Sequence, residues 1–205
     1  CIILNYKGEI KKIKYWNIED YFLKGWEDRK KWLGKKEDSL IDELEEILLD
    51  SFKLRLISDV PVGVFLSGGI DSSTVCAILA KNGINLKTFT IGFYEDGYNE
   101  APYARKIAEF LGTEHMELYC TSKEALDIIT ELPKIYDEPF GDQSSIPTLL
   151  LSKFAKDYVK VALSADGGDE QFCGYSKYVL VLKQAYSKAF KDLNSKSVGF
   201  EEDFI

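Results

Sequence analysis

Histidine and paired cysteines are scarce in this sequence. Its single histidine is His115, and its four cysteines, at positions 1, 76, 120 and 173, have no CxxC spacing. Neither a structural zinc site nor a disulfide framework is therefore indicated, and the cysteines are interpreted as reduced thiols. Basic residues are also outnumbered by acidic ones, 26 against 34, which gives a net charge of −8. Because nonspecific affinity for nucleic acid comes mostly from Lys and Arg, a nucleic-acid-binding protein is disfavoured.

Long apolar runs are absent too. No stretch approaches the roughly 20 residues that span a bilayer, and the N-terminus lacks the layout of a secretory signal. A cytosolic protein that acts on a small molecule, with no membrane partner, is expected. The sequence contains no GKS or GKT triplet and no GxGxxG pattern at its glycine-rich loop, which disfavours Walker A and dinucleotide-binding proteins.

Apolar runs alternate with helical patterns from residue 39 onward. Ser39 is expected to cap a first helix, with Asp42 three residues later, and Thr121 and Glu124 form a capping box. Asn99 is expected to cap another helix. The predicted strands are 62–66, 86–92, 115–118 and 159–164; the predicted helices are 39–52, 72–82, 99–111, 121–131, 145–158 and 170–190. Such alternation predicts an α/β fold, a parallel sheet covered by helices on both faces, with ligands bound beyond the carboxyl ends of the strands.

The first 36 residues show no sustained helical or alternating period and are interpreted as a tail or linker. Cys1 has two interpretations. An N-terminal cysteine is the nucleophile of one class of glutamine amidotransferases, but a nucleophile needs a pocket built around it. Only the short strand-like stretch 2–4 follows, so a non-catalytic Cys1 is favoured. For His115, beside a short strand pattern, a structural role is favoured over a catalytic one.

The first loop, Ser67-Gly68-Gly69-Ile70-Asp71-Ser72-Ser73, joins a buried strand to a helix. Glycines let the backbone approach a phosphate, and the N-terminus of a helix favours an anion. Asp71 would repel a bare phosphate, so a bridging Mg²⁺ is expected. The alternative is a simple turn, with Asp71 and Ser72 capping the helix.

This loop is similar to the signature of PP-loop ATP pyrophosphatases, and the stretch 55–63 before it resembles the synthetase domain of asparagine synthetases. Two further stretches resemble the same family. One is 136–140 with 145–148, and the other is Leu163-Ser164-Ala165-Asp166-Gly167-Gly168-Asp169-Glu170 with 174–178. The likeness covers roughly residues 37 to 180. It implies an adenine nucleotide alpha hydrolase-like fold that binds ATP and Mg²⁺.

The resemblance also implies a reaction and site residues. Such enzymes adenylate a carboxylate, release pyrophosphate and convert the acyl-adenylate to an amide. Asp71 and Asp169 match the Mg²⁺ positions, and Asp166 matches an acidic residue that would orient the nitrogen nucleophile, although it could be an ordinary turn aspartate. The remaining ATP-binding positions are Leu66, Ser67, Gly68, Gly69, Ile70, Ser72, Ser73, Ile91, Gly92, Ser164 and Ala165. Ala165, Gln171 and Cys173 depart from the family's usual pattern.

The expected organisation is the tail of a glutaminase domain with a linker (1–36), a synthetase domain (37–190) and the start of a further segment (191–205). A fragment that makes no amide by itself is expected, because the family's ammonia supply and catalytic lysine lie outside it. The favoured function is asparagine synthesis from aspartate, with ammonia from glutamine. Alternatives are amide formation on another carboxylate, a tRNA-modifying PP-loop enzyme and a silent nucleotide-binding module. The oligomeric state is open, with a homodimer as one candidate.

Overall fold

The computed structural model describes residues 2–95, 97, 99–139 and 141–193, with side chains as far as residue 186. The predictions for Cys1 and for most of the segment 191–205 therefore lie outside the described residues. The chain divides into two compact units between Asp50 and Ser51. None of the described helices is both long and apolar enough to cross a membrane.

The first unit contains more regular structure than the sequence suggested. β1 (Ile2–Leu4) pairs antiparallel with β2 (Ile10–Lys12). They are followed by α1 (Ile18–Trp32) and by the start of α2 (Glu37–Arg55). Residues 18–32, for which no helical period was found in the sequence, form a helix. No residue of α1 is buried, although Ile18, Phe22 and Trp26 recur at helical spacing. Acidic residues in its first turn and basic ones in its last also favour a helix. Because α2 begins at Glu37, the predicted cap at Ser39 is also wrong.

The second unit is built on a four-stranded parallel sheet. The strands are β3 (Val62–Phe65), β4 (Lys87–Phe93), β5 (Glu114–Cys120) and β6 (Val161–Leu163). Their order is β5-β4-β3-β6, and every neighbouring pair is parallel. All four predicted strands are confirmed, with ends that differ by up to two residues. β3 and β6 are shorter than predicted, whereas β5 is longer and pairs with β4 along its whole length, as far as Cys120.

The helices of this unit begin and end close to the predicted residues, with three corrections. α3 begins at Ile70 rather than Ser72. α4 begins at Ala101 with Glu100 as its N-cap, so the predicted cap at Asn99 is wrong, although the Asn99 side chain accepts a hydrogen bond from the Ala101 N–H at 3.2 Å. The predicted final helix is two helices, because Cys173 takes a left-handed conformation with φ +57° and ends the first. The described helices are α3 (Ile70–Lys81), α4 (Ala101–Leu111), α5 (Ser122–Ile128) with a 3₁₀ turn (Ile129–Glu131), α6 (Leu132–Ile135), α7 (Ser145–Ala155), α8 (Gly168–Phe172) and α9 (Ser176–Leu193).

Two apolar clusters cover the two faces of the sheet. Val64 packs in one cluster with helices α3 and α4, while the next residue, Phe65, contacts the other cluster with α7. Successive strand residues point to opposite faces, so helices lie on both sides and the predicted fold class is confirmed. Burial raises the pKa of Cys76, in the first cluster, to about 12. Cys76, Cys120 and Cys173 are free thiols, as predicted.

The strand order creates a crevice beside β3. The chain places β4 and then β5 on one side of β3 and returns to add β6 on the other side. Loops that leave β3 and β6 therefore diverge at the carboxyl ends of adjacent strands. In open α/β sheets this switch point is where ligands bind.

Candidate functional site

A cavity of about 920 Å³ opens at this switch point, between the loops that follow β3 and β6. It is lined by eleven of the residues predicted from the sequence: Leu66, Ser67, Gly69, Ile70, Asp71, Ser72, Ile91, Ser164, Ala165, Asp166 and Asp169. These residues lie almost 100 positions apart in the chain, yet the sheet brings them together. The volume falls in the range typical of small-molecule sites.

Hydrogen bonds within the first loop fix its shape. Ser72 is only 7% exposed. Its hydroxyl accepts a hydrogen bond from the Ser67 backbone N–H at 3.1 Å and lies 3.0 Å from the Ser67 hydroxyl. The Gly69 N–H donates to the Ser67 hydroxyl at 3.2 Å, and the Ser73 hydroxyl donates to the Gly69 carbonyl at 2.6 Å. The serines therefore hold the loop at the N-terminus of α3, where unpaired N–H groups favour an anion.

Three predicted contact residues, Gly68, Gly92 and Ser73, do not line the cavity. Gly68 has φ +86°, and a Cβ there would lie 3.0 Å from the backbone nitrogen of Ala104. A Cβ on Gly92 would lie 2.8 Å from the ring of Tyr119. Both glycines are thus needed where strand or loop packs closely against a neighbouring element, and their contribution to the cavity is indirect.

The two predicted metal-binding carboxylates lie on opposite loops of the same cavity. Asp71 is the second residue of α3 and is half-buried, and a Cβ on Gly168 would lie 2.6 Å from its carboxylate. The segment that follows β6, which contains Gly168, therefore passes directly over Asp71. Asp169, the next residue along that segment, is also half-buried and lines the cavity. Two carboxylates converging beside an anion-binding helix end give the oxygen donors that Mg²⁺ prefers, so the residues fit this ion.

The donor set from the protein is small. Within the described ranges, no group of three or more His, Cys, Asp and Glu side chains is arranged to hold a metal ion. A cation held by Asp71 and Asp169 would therefore take its other oxygens from phosphate or water, which is the usual arrangement for Mg²⁺ on a nucleotide.

Asp166 is exposed in the cavity and is held by one neighbour. The Ser164 hydroxyl donates to Asp166 Oδ2 at 2.6 Å. The other carboxylate oxygen, Oδ1, makes no hydrogen bond within the part of the chain that the structure describes. Asp166 is thus fixed in direction while keeping an acceptor for a substrate, which suits a group that orients a nucleophile or receives its proton.

One wall of the cavity was not predicted as part of the site. The first turns of α7 and the segment before it close the side opposite α3, and the strands and α8 contribute further side chains. The additional lining residues are Phe65, Thr90, Phe93, Glu100, Ser144, Pro147, Thr148, Leu151, Ala162, Gly168, Phe172 and Gly174. The family likeness at 145–148 was the available signal for the α7 wall, whereas the apolar strand residues read only as core.

His115 lies away from this cavity, as the structural interpretation requires. Its Nδ1 is 2.9 Å from the hydroxyl of the buried Thr88, and its Nε2 lies 3.5 Å from Glu117 Oε1. Burial lowers the pKa of His115, partly opposed by the charge of Glu117. Arg105 hydrogen-bonds Glu117 and lowers the pKa of that carboxyl. The group joins β4, β5 and α4.

Comparison with known proteins adds an independent finding. Residues 43–200 match the family model described as asparagine synthase. The chain is 43% identical over 175 residues to a putative glutamine-hydrolyzing asparagine synthetase 2 of Methanocaldococcus jannaschii, covering 84% of this chain and 32% of that protein. It is 41% identical over 146 residues to glutamine-hydrolyzing asparagine synthetase 1 of Bacillus subtilis, covering 70% of this chain and 23% of that protein.

The chain thus spans a third or less of the length of these curated relatives. Among solved structures, it is similar to the NMN synthetase of Francisella tularensis, with 17% identity and a TM-score of 0.47 over 65% of this chain and 58% of that one.

Proposed function

This chain belongs to the asparagine synthase family, and we propose that its cavity binds ATP and adenylates the carboxylate of aspartate, which ammonia then converts to an amide. One observation carries the proposal. Asp71 and Asp169 lie on separate loops that meet in a single cavity at the end of a parallel sheet, beside the N-terminus of α3. An anion-binding helix end with two carboxylates suits a metal-bound polyphosphate rather than a simple anion.

Different residues of the cavity would contact different parts of the nucleotide. The backbone of the first loop and the N-terminus of α3 would bind the pyrophosphate part. Leu66 and Ile91 offer apolar surface to adenine, and the backbone of Ser164 and Ala165 would contact the ribose. Asp71 and Asp169 would hold Mg²⁺, which neutralises charge on the departing pyrophosphate. The site residues predicted from the sequence have these roles in the proposal, and the proposed synthetase domain has the predicted bounds, 37–190.

The proposed chemistry has two steps. A carboxylate oxygen attacks the α-phosphorus of ATP, and the bond to pyrophosphate breaks. The nitrogen of ammonia then attacks the acyl carbon, and AMP leaves as the amide forms. Asp166 would orient the ammonia and receive its proton, because Ser164 holds one of its oxygens and leaves the other available.

The wider reaction extends beyond the described residues. Ammonia would come from glutamine hydrolysed on a glutaminase domain, in keeping with the names of the relatives. A cytoplasmic location belongs to the same proposal, since ATP and free amino acids are available there. A carboxylate other than aspartate is the second candidate for the acceptor. Comparing turnover with different carboxylates, as described below, distinguishes the two.

Product analysis tests the proposal. The intact protein is incubated with ATP, Mg²⁺, ammonium chloride and aspartate, and the nucleotides are separated by ion-exchange chromatography. AMP and pyrophosphate are expected in equal amounts, with asparagine formed in step. Glutamate, one methylene longer, serves as the matched control carboxylate and should support at least ten times less turnover.

Two results would contradict the proposal at different levels. ADP and orthophosphate as primary products would exclude adenylation altogether. AMP and pyrophosphate released equally well without any carboxylate would mean that water attacks the α-phosphorus, and would also exclude adenylation of a carboxylate. Release supported equally well by glutamate and by aspartate, and absent without either, would leave adenylation intact and exclude aspartate as the selected acceptor.

A further inference from the structure

We propose that Glu170 and Tyr175 are positioning residues, which hold the turn after α8 closed and thereby fix the carboxylate of Asp169 for a cation-bound phosphate. The inference rests on the proposed function, because it assigns Asp169 the role of a cation ligand. It concerns two side chains outside the cavity lining that act through a third within it.

The turn folds back directly onto Asp169. α8 ends at Phe172, and Cys173 in its left-handed conformation reverses the chain. The Gly174 N–H then donates to the Asp169 carbonyl at 2.9 Å. The Cys173 N–H donates to the same carbonyl, so both residues that follow the helix are tied to Asp169.

The carboxylate of Asp169 lies against the backbone of Gly174. A Cβ built on Gly174 would lie 1.8 Å from Asp169 Oδ1 and 2.9 Å from its Cγ. A side chain at residue 174 would force the carboxylate to move, so its present position depends on residue 174 being glycine. Any shift of the turn therefore changes the position available to Asp169.

A side-chain hydrogen bond closes the same turn from outside. The Tyr175 hydroxyl donates to Glu170 Oε1 at 2.8 Å, joining the residue after Asp169 to the residue after Gly174. The Lys177 ammonium lies 4.2 Å from the centre of the Tyr175 ring, which further restricts that ring. A hydrogen bond to a carboxylate is stronger than one between neutral groups, so this contact suits a clamp across the six residues 170–175.

Direct cation binding tests the clamp without relying on turnover. Mn²⁺ is titrated into the intact protein with a non-hydrolysable ATP analogue, and bound Mn²⁺ is followed by electron paramagnetic resonance at a temperature well below the unfolding midpoint of each variant. Tyr175→Phe and Glu170→Ala both remove the hydrogen bond and should weaken Mn²⁺ binding about 10-fold. Glu170→Gln keeps an oxygen that can accept a hydrogen bond from the Tyr175 hydroxyl, so its Mn²⁺ affinity should stay within about three-fold of that of the unmodified protein.

Tyr178→Phe is the matched control. Its ring packs against that of Tyr175 with centroids 5.8 Å apart, but its hydroxyl makes no hydrogen bond within the described part of the chain. Removing this hydroxyl should leave Mn²⁺ affinity unchanged. If Tyr175→Phe does not fold, the contrast between Glu170→Ala and Glu170→Gln still decides the matter.

The outcomes separate the two levels of the argument. Equal affinity in the unmodified protein, Tyr175→Phe and Glu170→Ala would overturn the positioning role and leave the proposed function standing. A defect in Glu170→Gln as large as in Glu170→Ala would overturn it too, because the charge rather than the hydrogen bond would then matter. If the unmodified protein shows no saturable Mn²⁺ binding with the analogue, the proposed function fails and the clamp fails with it.

Discussion

Replacing Asp71 with asparagine separates the charge of this residue from its shape. Asparagine has nearly the same size, so the close contact with Gly168 is preserved. Only the negative charge is lost at the start of α3. The same replacement at Asp169 leaves the contact with Gly174 sterically intact and serves as a second, independent test.

The expected effects on catalysis and on stability differ in size. Removing charge stabilisation at a transferring phosphate typically costs about 2.7 kcal/mol in the transition state, which is about 100-fold in rate. Asp71 lies in the first turn of α3, where an acidic side chain stabilises the helix by about 0.3 to 1 kcal/mol. Turnover should therefore fall by about 100-fold in Asp71→Asn while the free energy of unfolding changes by no more than about 1 kcal/mol.

The assay measures pyrophosphate release at saturating ATP and Mg²⁺ together with urea unfolding of each variant. Asp38→Asn is the control, because Asp38 lies in the first turn of α2 and has the same relation to a helix N-terminus without lining the cavity. Turnover of Asp38→Asn should match that of the unmodified protein. If either Asp71→Asn or Asp169→Asn turned over within about three-fold of the unmodified rate, a shared cation at these carboxylates would be refuted.

Two further predictions concern stability. Thr121→Ala should lower the free energy of unfolding by about 1 kcal/mol, because it removes the capping box with Glu124. The control Lys123→Ala, in the same turn, should change it by less than about 0.5 kcal/mol. Equal effects of the two replacements in urea unfolding would contradict the capping role. Because burial holds the pKa of His115 below 6.5, the unfolded chain takes up this proton first, so stability should fall as the pH is lowered from 7.5 through 6.5 to 5.5. His115→Gln should reduce the difference in unfolding free energy between these pH values, and an unchanged difference would assign it to other groups.

Burial explains which parts of the fold were predictable. Val64 and Leu66 belong to a run of apolar residues that ends at Leu66, just before the glycine-rich loop, and a strand buried on both faces leaves that pattern in any sequence. The capping box at Thr121 is equally local, since its two hydrogen bonds join residues three positions apart. Elements defined by local patterns were therefore predicted, with ends correct to a few residues.

The missed features have signals that are weak or distributed. α1 is short of sustained apolar residues and has none buried, so the spacing of Ile18, Phe22 and Trp26 and the charges at its two ends are its only helical signals. The break between α8 and α9 depends on a positive φ at Cys173, a conformation that residues other than glycine seldom adopt. The contact of Gly168 with Asp71 joins two segments far apart in sequence, and only the folded structure, in which β3 and β6 are neighbours, reveals it.

The position of β6 has a consequence for the order in which the protein can fold during synthesis. Val62 of β3 pairs with Val161 of β6, so the ribosome must add about 100 residues after β3 before its second neighbour exists. Until then one edge of β3 presents unpaired N–H and C=O groups, which are open to pairing with other chains. Contacts between residues so distant also form slowly, because a long loop must close first. The cavity between the β3 and β6 loops should therefore be among the last features to form, and a chain arrested before Val161 should lack it while already containing β3, β4 and β5.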